Sequence, residues 1–83
     1  MEIQYTYRAK DDLEKLPKLV QRRIAKKMRF YAEQADPLKF AKRLSGNQLE
    51  EYRFRIGEYR VCFDVADERI IVLKIAKRDK IYE

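Results

Sequence analysis

Three arginines around a short hairpin sequence are the side chains of this chain best suited to chemistry. Arg53 and Arg55 alternate with apolar residues, and Arg60 follows a Gly57-Glu58 pair. A strand sends alternate side chains to opposite faces, so a two-residue turn would place Arg55 directly opposite Arg60. Like charges that face each other across two strands are destabilising, and a bound anion would relieve that repulsion. The pattern therefore indicates phosphate chemistry on a nucleic acid.

Arg78 and Tyr82 extend this set in a chain that has no histidine. A guanidinium group grips phosphate oxygens at two points, and a tyrosine loses its proton more easily beside positive charge. Simpler interpretations stay open. Tyr82 is also explained as an aromatic side chain that covers a sheet edge, and Arg78 as a surface charge. Arg53 and Arg55 equally fit a solvated strand face.

Composition and charge indicate which kinds of partner and which cellular compartment to expect. Lys and Arg total 20 against 14 Asp and Glu, giving a formal net charge of +6. This imbalance favours RNA, DNA or an acidic protein, although a lysine-rich soluble surface explains it as well. The only cysteine, Cys62, cannot form an intramolecular disulfide, which fits a reducing cytoplasm, and its apolar surroundings predict a small core residue.

The sequence argues against membrane insertion, secretion and metal binding. No apolar run approaches the roughly 18 residues of a membrane span, and the first residues lack the basic start and apolar core of a signal peptide. With no histidine and one cysteine, a zinc site is not expected. We therefore expect a cytoplasmic protein without a metal or cofactor.

Residue periodicity predicts the elements that position these side chains. Alternation predicts a strand over residues 2–7, and apolar residues at three- or four-residue steps predict a short helix to about residue 16. A longer helix over residues 17–35 and a short helical stretch over residues 38–44 follow, since a proline suits the first turn of each. Three strands complete the order: residues 52–56, 59–65 and 70–76.

This order predicts one α+β domain over residues 1–83, with helices packed on one face of a mostly antiparallel sheet. The hairpin would then have two unlike faces. The side toward the helices carries Tyr52, Phe54, Ile56, Tyr59, Val61, Phe63 and Val65. The side that is exposed or lines a cleft carries Arg53, Arg55, Arg60, Cys62 and Asp64.

In element order and in several motifs, essentially the whole chain resembles the RelE/ParE superfamily of toxin–antitoxin toxins. Within it, the chain is most similar to the RelE-like mRNA interferases. The most specific stretches are Leu44-Ser45-Gly46, residues 52–61, residues 71–78 and Ile81-Tyr82. The resemblance implies a RelE-like β-α-α-(short helix)-β-β-β fold over residues 1–83.

The resemblance also implies a type II toxin that cuts mRNA in the ribosomal A site and so inhibits translation. In such toxins the 2′-OH of the RNA attacks the neighbouring phosphate without a metal, leaving a 2′,3′-cyclic phosphate and a 5′-OH. The implied catalytic residues are Arg60, Arg78 and Tyr82. The implied RNA-binding residues are Arg53, Arg55, Lys74 and Lys77.

Each implied catalytic residue answers a need of that reaction. Arg60 would brace the scissile phosphate, and Arg78 would stabilise developing charge and protonate the leaving oxygen, while Tyr82 would be the base for the 2′-OH. The implied partners are a 70S-type ribosome with its mRNA and an acidic antitoxin whose partly disordered segment folds on binding. The basic run of residues 22–27 fits a solvated helix face or a contact with ribosomal RNA.

Two other functions remain open on the same fold. One is a ParE-like toxin that poisons DNA gyrase without cutting RNA, and the other is a catalytically decayed RNA-binding or interaction domain. Suitable residues at positions 60, 78 and 82 favour the nuclease, because the gyrase-poisoning branch lacks this basic–tyrosine set.

Overall fold

The computed structural model describes residues 1–44 and 52–81, which form two α-helices, a 3-10 helix and a five-stranded sheet. The strands are β1 (Glu2–Tyr5), β2 (Lys42–Arg43), β3 (Tyr52–Ile56), β4 (Tyr59–Ala66) and β5 (Arg69–Lys77). The helices are α1 (Tyr7–Glu14) and α2 (Lys18–Ala32), and the 3-10 helix is Pro37–Phe40. The sheet order is β1-β5-β4-β3-β2, with β1 parallel to β5 and the other pairs antiparallel. The predicted α+β architecture is confirmed.

Capping groups explain where the first elements end. The Thr6 side-chain oxygen accepts a hydrogen bond from the Ala9 N–H at 3.1 Å, so Thr6 begins α1 and stops β1 two residues before the predicted end. The second helix, predicted over residues 17–35, begins one residue later and ends three residues earlier, and Pro17 directly precedes it, where a proline is tolerated without loss of a helical hydrogen bond. The Gln21 side chain closes this connection by donating to the Leu16 carbonyl at 2.8 Å.

The prediction of a helical stretch over residues 38–44 is wrong after Phe40. The 3-10 helix ends there, and the chain continues as strand β2, in which Lys42 pairs with Arg53 and Arg43 with Tyr52. Two basic residues carry no strand periodicity of their own, and they adopt this conformation by pairing with the edge of β3. Lysine on a short edge strand also blocks pairing with a further chain. The predicted break at Ser45-Gly46-Asn47 lies outside the described residues.

The two turns between the last three strands and the register of β3 with β4 follow the prediction, whereas a bulge in the pairing of β4 with β5 was not predicted. Gly57 has a φ of +59°, which glycine adopts without strain, and the turn places Arg55 opposite Arg60. On β5 a β-bulge shifts the alternation, since Cys62 pairs with Lys74 while Phe63 pairs with Val72. The bulge leaves three inward-facing side chains of β5 buried: Ile70, Val72 and Ile75.

The helix side of the sheet holds the core. Tyr31, Phe54 and Phe63 stack with successive ring centroids 4.3 Å apart, and Phe54 and Phe63 are fully buried. The Asp12 side chain attaches α1 to the sheet by accepting the Ile75 N–H at 3.1 Å, beyond the end of β1. Within the two described segments, neither helix is long and apolar enough to cross a membrane.

Candidate nucleic-acid interface

The outer face of the sheet carries cations in two cross-strand rows. Pairing across β2, β3, β4 and β5 gives one row of Lys42, Arg53, Cys62 and Lys74. The second row is Arg55, Arg60 and Ala76. Each row contains one directly opposed pair of like charges, which weakens strand pairing. This face therefore has an electrostatic cost that a bound polyanion would offset.

Arg60 is the most enclosed of these cations, with only 8% of its surface exposed. Its Nη1 donates to the carbonyl oxygens of Gly57 at 3.1 Å and Tyr59 at 3.0 Å, which fixes the guanidinium group. Burial lowers the pKa of Arg60, and the positive charges of three neighbouring arginines lower it further. The neighbours are Arg55, Arg53 and Arg78. Arginine nevertheless stays protonated in proteins, so the site holds a rigid buried cation.

The backbone after β5 continues its pairing as far as the β3–β4 turn, and this brings Arg78 to this cation. The Arg78 N–H donates to the Glu58 carbonyl at 2.8 Å, and the Lys80 N–H donates to the Lys77 carbonyl at 2.9 Å. Ile81 is buried, with 3% of its surface exposed. Two backbone hydrogen bonds and one buried apolar side chain thus set the position of Arg78.

Arg53, Arg55, Arg60 and Arg78 together line a concave surface that we call the arginine cleft. Its two adjoining hollows have volumes of about 600 and about 340 Å³. The larger is lined by Arg55, Gly57, Glu58, Arg60, Lys77, Arg78 and Asp79, and the smaller by the four arginines and Ile81. Within residues 1–44 and 52–81, Arg55, Arg60 and Arg78 take part in no ion pair. The cleft is suited to binding phosphate groups at two points each.

The structure brings most of the predicted site residues together. The four predicted arginines line the cleft, and Lys77 lies at the wall of its larger hollow. Lys74 lies on the same outer face, in the cross-strand row of Arg53, beside rather than within the hollows described above. Tyr82 lies outside the described residues, so its predicted place beside Arg78 stays a prediction.

Sequence reasoning missed a second wall of the site. A third hollow of about 390 Å³ is lined by Lys39, Phe40, Ala41, Lys42, Arg53, Arg55 and Arg60. Its first four residues come from the end of the 3-10 helix, the residue that follows it and the start of β2, where a continuous helical stretch was predicted. The sequence feature that could have indicated this wall is an aromatic residue, Phe40, between Lys39 and Lys42. Glu58 and Asp79, two carboxylates at the larger hollow, were also not predicted as site residues.

Comparison with sequence families gives a match over nearly the whole chain. The model of the family described as ParE toxin of type II toxin–antitoxin system, parDE, matches residues 3–82. No sequence among the curated proteins matches the chain significantly.

Comparison with solved structures gives matches over nearly the full length of both chains. An archaeal RelE–RelB complex from Pyrococcus horikoshii OT3 is similar at 28% identity and a TM-score of 0.73, covering 95% of this chain and 96% of the other. The toxin–antitoxin complex RelBE2 from Mycobacterium tuberculosis has 24% identity and a TM-score of 0.77, with 93% and 90% covered. The isolated Escherichia coli RelE toxin has 22% identity and a TM-score of 0.73, with 98% and 89% covered. At identities below 25%, the similarities to the Mycobacterium tuberculosis and Escherichia coli proteins establish the fold alone.

Proposed function

Because this chain belongs to the ParE toxin family of type II toxin–antitoxin systems, within the RelE/ParE superfamily, we propose that it inhibits translation by cutting mRNA in the ribosomal A site. The observation that carries the proposal is Arg60. A cation that is 8% exposed, fixed by two carbonyls and surrounded by three further arginines is a preformed anion site. Preorganised positive charge stabilises the negative charge that develops when a phosphate is attacked.

The proposed reaction is a transesterification within the RNA. The 2′-oxygen bonds to the adjacent phosphorus, the bond from phosphorus to the 5′-oxygen breaks, and the products are a 2′,3′-cyclic phosphate and a 5′-OH. Arg60 braces the non-bridging oxygens, and Arg78 stabilises the negative charge on the leaving 5′-oxygen, which takes up a proton from water. Phosphates on either side of the cut bind to Arg53 and Arg55. These roles rest on the position of each group in the cleft.

Proton transfer is the part of the reaction that the side chains of the cleft support least well. The chain has no histidine, so we propose Tyr82 as the base for the 2′-OH, helped by the positive charge around Arg78. Lys77 and Lys74 would add RNA contacts at the margin of the cleft. A weak acid–base set is consistent with a requirement for the ribosome, which would align the mRNA for in-line attack.

The proposed partner that controls this activity is an acidic antitoxin. The similar structures from Pyrococcus horikoshii and Mycobacterium tuberculosis are complexes of a toxin with its antitoxin. Here the cationic cleft would attract an acidic segment. Exposed apolar side chains on the helices, with Tyr7 95% and Leu19 68% exposed, would be covered by the antitoxin segment as it folds.

The direct test is mRNA cleavage in a reconstituted translation reaction, with primer extension to map the ends. We expect the wild-type chain to cut within A-site codons, and Arg60→Ala to cut about 100- to 1,000-fold more slowly because an oxyanion-stabilising group is lost. Arg69→Ala is the matched control, since Arg69 pairs with Asp67 at the other end of β5. Tyr82→Phe tests the base separately.

Three outcomes separate the parts of this proposal. Loss of cleavage in both Arg60→Ala and Tyr82→Phe, with Arg69→Ala unaffected, supports the nuclease and both roles. Loss in Arg60→Ala alone keeps the nuclease and removes Tyr82 as the base. Absence of cleavage by folded wild-type protein on programmed ribosomes overturns the proposal.

A second candidate function is inhibition of DNA gyrase, and the family match favours it, because the matching family is named for ParE. A supercoiling assay with purified gyrase tests it directly. Under the gyrase alternative, growth arrest would persist in Arg60→Ala and gyrase activity would fall with added toxin. Under the nuclease proposal, growth arrest disappears with Arg60→Ala and gyrase is unaffected.

A further inference from the structure

One aromatic side chain in the otherwise cationic site is unexplained by phosphate binding. Phe40 is 46% exposed and lines the third hollow together with Lys39, Lys42 and the cleft arginines. An exposed phenyl ring normally costs free energy through its contact with water. Its position beside Arg55 and Arg60 places an apolar surface next to the proposed phosphate site.

The Phe40 ring is held firmly on its inner side. The Tyr31 ring is tilted by 31° relative to it, with centroids 5.4 Å apart, while the Phe30 ring meets it edge-on at 70° with centroids 6.1 Å apart. Tyr31 in turn stacks on the buried Phe54. The ring is therefore anchored through the core, and its exposed part faces the hollow with little conformational freedom to lose on binding.

We infer that Phe40 is a stacking platform for a nucleobase of single-stranded RNA whose phosphates bind in the arginine cleft. The inference deepens the proposed function and depends on it for the identity of the nucleic acid. A groove that combines cations for the backbone with an aromatic face for a base is the general design of single-strand binding sites. Lys39 and Lys42 line the same hollow as the ring and add positive charge to that of the cleft arginines.

The charge of the hollow is what favours RNA over an apolar protein segment. The lining side chains apart from Phe40 and Ala41 are all Lys or Arg. An apolar peptide placed there would desolvate those cations without pairing them, which is costly. A nucleotide suits both the aromatic ring and the cations of the hollow, because its base stacks on the ring while its phosphate pairs with the cations.

The test is binding of fluorescently labelled, short oligoadenylate to the ribosome-free chain at low salt, followed by anisotropy. A ribose–phosphate chain of equal length without bases is the second probe. We expect Phe40→Ala to bind oligoadenylate about tenfold more weakly, and Phe40→Trp to retain affinity. Phe40→Leu keeps an apolar side chain against Tyr31 and should lose affinity like Phe40→Ala, which guards against an effect of misfolding.

A matched control comes from the same aromatic group. Phe30 is 47% exposed, contacts the Phe40 ring and is absent from the residues that line the third hollow in the described part of the chain. Phe30→Leu should leave oligoadenylate binding unchanged. Wild type should bind the base-free chain about tenfold more weakly than oligoadenylate, whereas Phe40→Ala should bind both probes equally.

The dependence on salt separates stacking from charge. Replacing Arg55 should reduce the slope of log K against log salt by about 0.7, because one phosphate contact is lost from a single strand. Phe40→Ala should lower affinity at every salt concentration and leave the slope unchanged. A changed slope for Phe40→Ala, or equal binding of the two probes by wild type, overturns the inference.

The binding experiment tests the stacking site separately from the mRNA-cleavage assay. If wild type does not cut mRNA but Phe40 still discriminates between the two probes, the nuclease proposal fails while the stacking site stands. If wild type cuts mRNA and Phe40→Ala binds oligoadenylate normally, the stacking site alone is wrong. Weaker binding of antitoxin together with normal RNA binding in Phe40→Ala would assign the ring to a protein contact and also overturn the inference.

Discussion

Alternate residues of the β3–β4 hairpin serve opposite purposes on its two faces. Toward the helices, Phe54 and Phe63 are fully buried and stack at 4.3 Å. Away from the helices, Arg55 lies opposite Arg60, and Arg53 lies opposite Cys62 but next to Lys42. Phe54 and Arg55 are chain neighbours, yet one contributes to the core and the other adds to a field of like charge.

The difference teaches where stability and binding are located. Burying a phenyl ring contributes roughly 1.5–3 kcal/mol, whereas opposing like charges across a strand pair costs a fraction to about 1 kcal/mol. The aromatic face thus outweighs the repulsion of the cationic face and holds it in place. Because the cations destabilise the free protein, their arrangement is best explained by a ligand that neutralises them.

Truncation of the core face should have the largest effect. We expect Phe54→Ala to lower the free energy of unfolding by about 3–5 kcal/mol, since it removes a buried ring and leaves a cavity between Tyr31 and Phe63. For a domain of this size that loss approaches the whole stability. Urea unfolding followed by circular dichroism measures it. A loss below about 1 kcal/mol would mean that the stack is not the centre of the core.

Phosphate should stabilise the cationic face by a smaller amount. At an inorganic phosphate concentration tenfold above its dissociation constant, the gain is about 1.4 kcal/mol by mass action. For a chain of 83 residues, this raises the thermal midpoint by several degrees. Arg60→Met should abolish the gain, while Arg69→Ala should retain it. An equal gain in both variants would indicate a general solvent effect instead of a site.

The sequence was sufficient to predict this two-faced hairpin. Gly57 at the first turn position and strict alternation on both sides fix the register, so the pairing of Arg55 with Arg60 followed from local rules. The helices followed from the apolar stripe and from Pro17. Elements with strong local signals were therefore predicted correctly, apart from two or three residues at their ends.

The parts that failed depend on tertiary contacts. Strand β2 has only two residues, both basic, and exists because β3 offers it an edge. The place of Phe40 beside the cleft follows from that pairing and could not be read from periodicity. Arg78 was predicted as a site residue from its residue type and from the resemblance, but its position is set by the hydrogen bond from its N–H to the Glu58 carbonyl. The catalytic roles of these residues stay predictions.

Removal of one opposed cation should separate stability from binding. We expect Arg55→Thr to raise the free energy of unfolding by about 0.2–1 kcal/mol, because repulsion with Arg60 is relieved and threonine suits a strand. The same variant should bind RNA more weakly. Arg43→Thr is the matched control, since Arg43 is an exposed strand residue that faces Tyr52 across the strands, and it should show only the smaller gain that comes from threonine in a strand. A loss of stability in Arg55→Thr would contradict the view of this face as strained by charge.

Alkaline pH should weaken the aromatic face before the cationic one, and this is the smallest effect we expect. Burial raises the pKa of Tyr31 above its usual value of 10.0. A group whose pKa is raised on folding contributes its full stability below the unfolded value and loses it as pH rises through the folded value. The arginines keep their charge over this range. Stability should therefore fall above about pH 10, and less steeply in Tyr31→Phe than in wild type.

The control for this titration is Tyr7→Phe, because Tyr7 is 95% exposed and outside the core. Its stability should follow the wild-type curve, since the substitution changes no contact of the core and all other titratable groups are common to the three proteins. Urea midpoints measured from pH 8 to pH 11 provide the comparison. Equal slopes for wild type and Tyr31→Phe would show that the Tyr31 hydroxyl is solvated in the native state. The Tyr31 ring, which supports Phe40, would then be held in place by its contacts with other rings, chiefly by stacking on the buried Phe54.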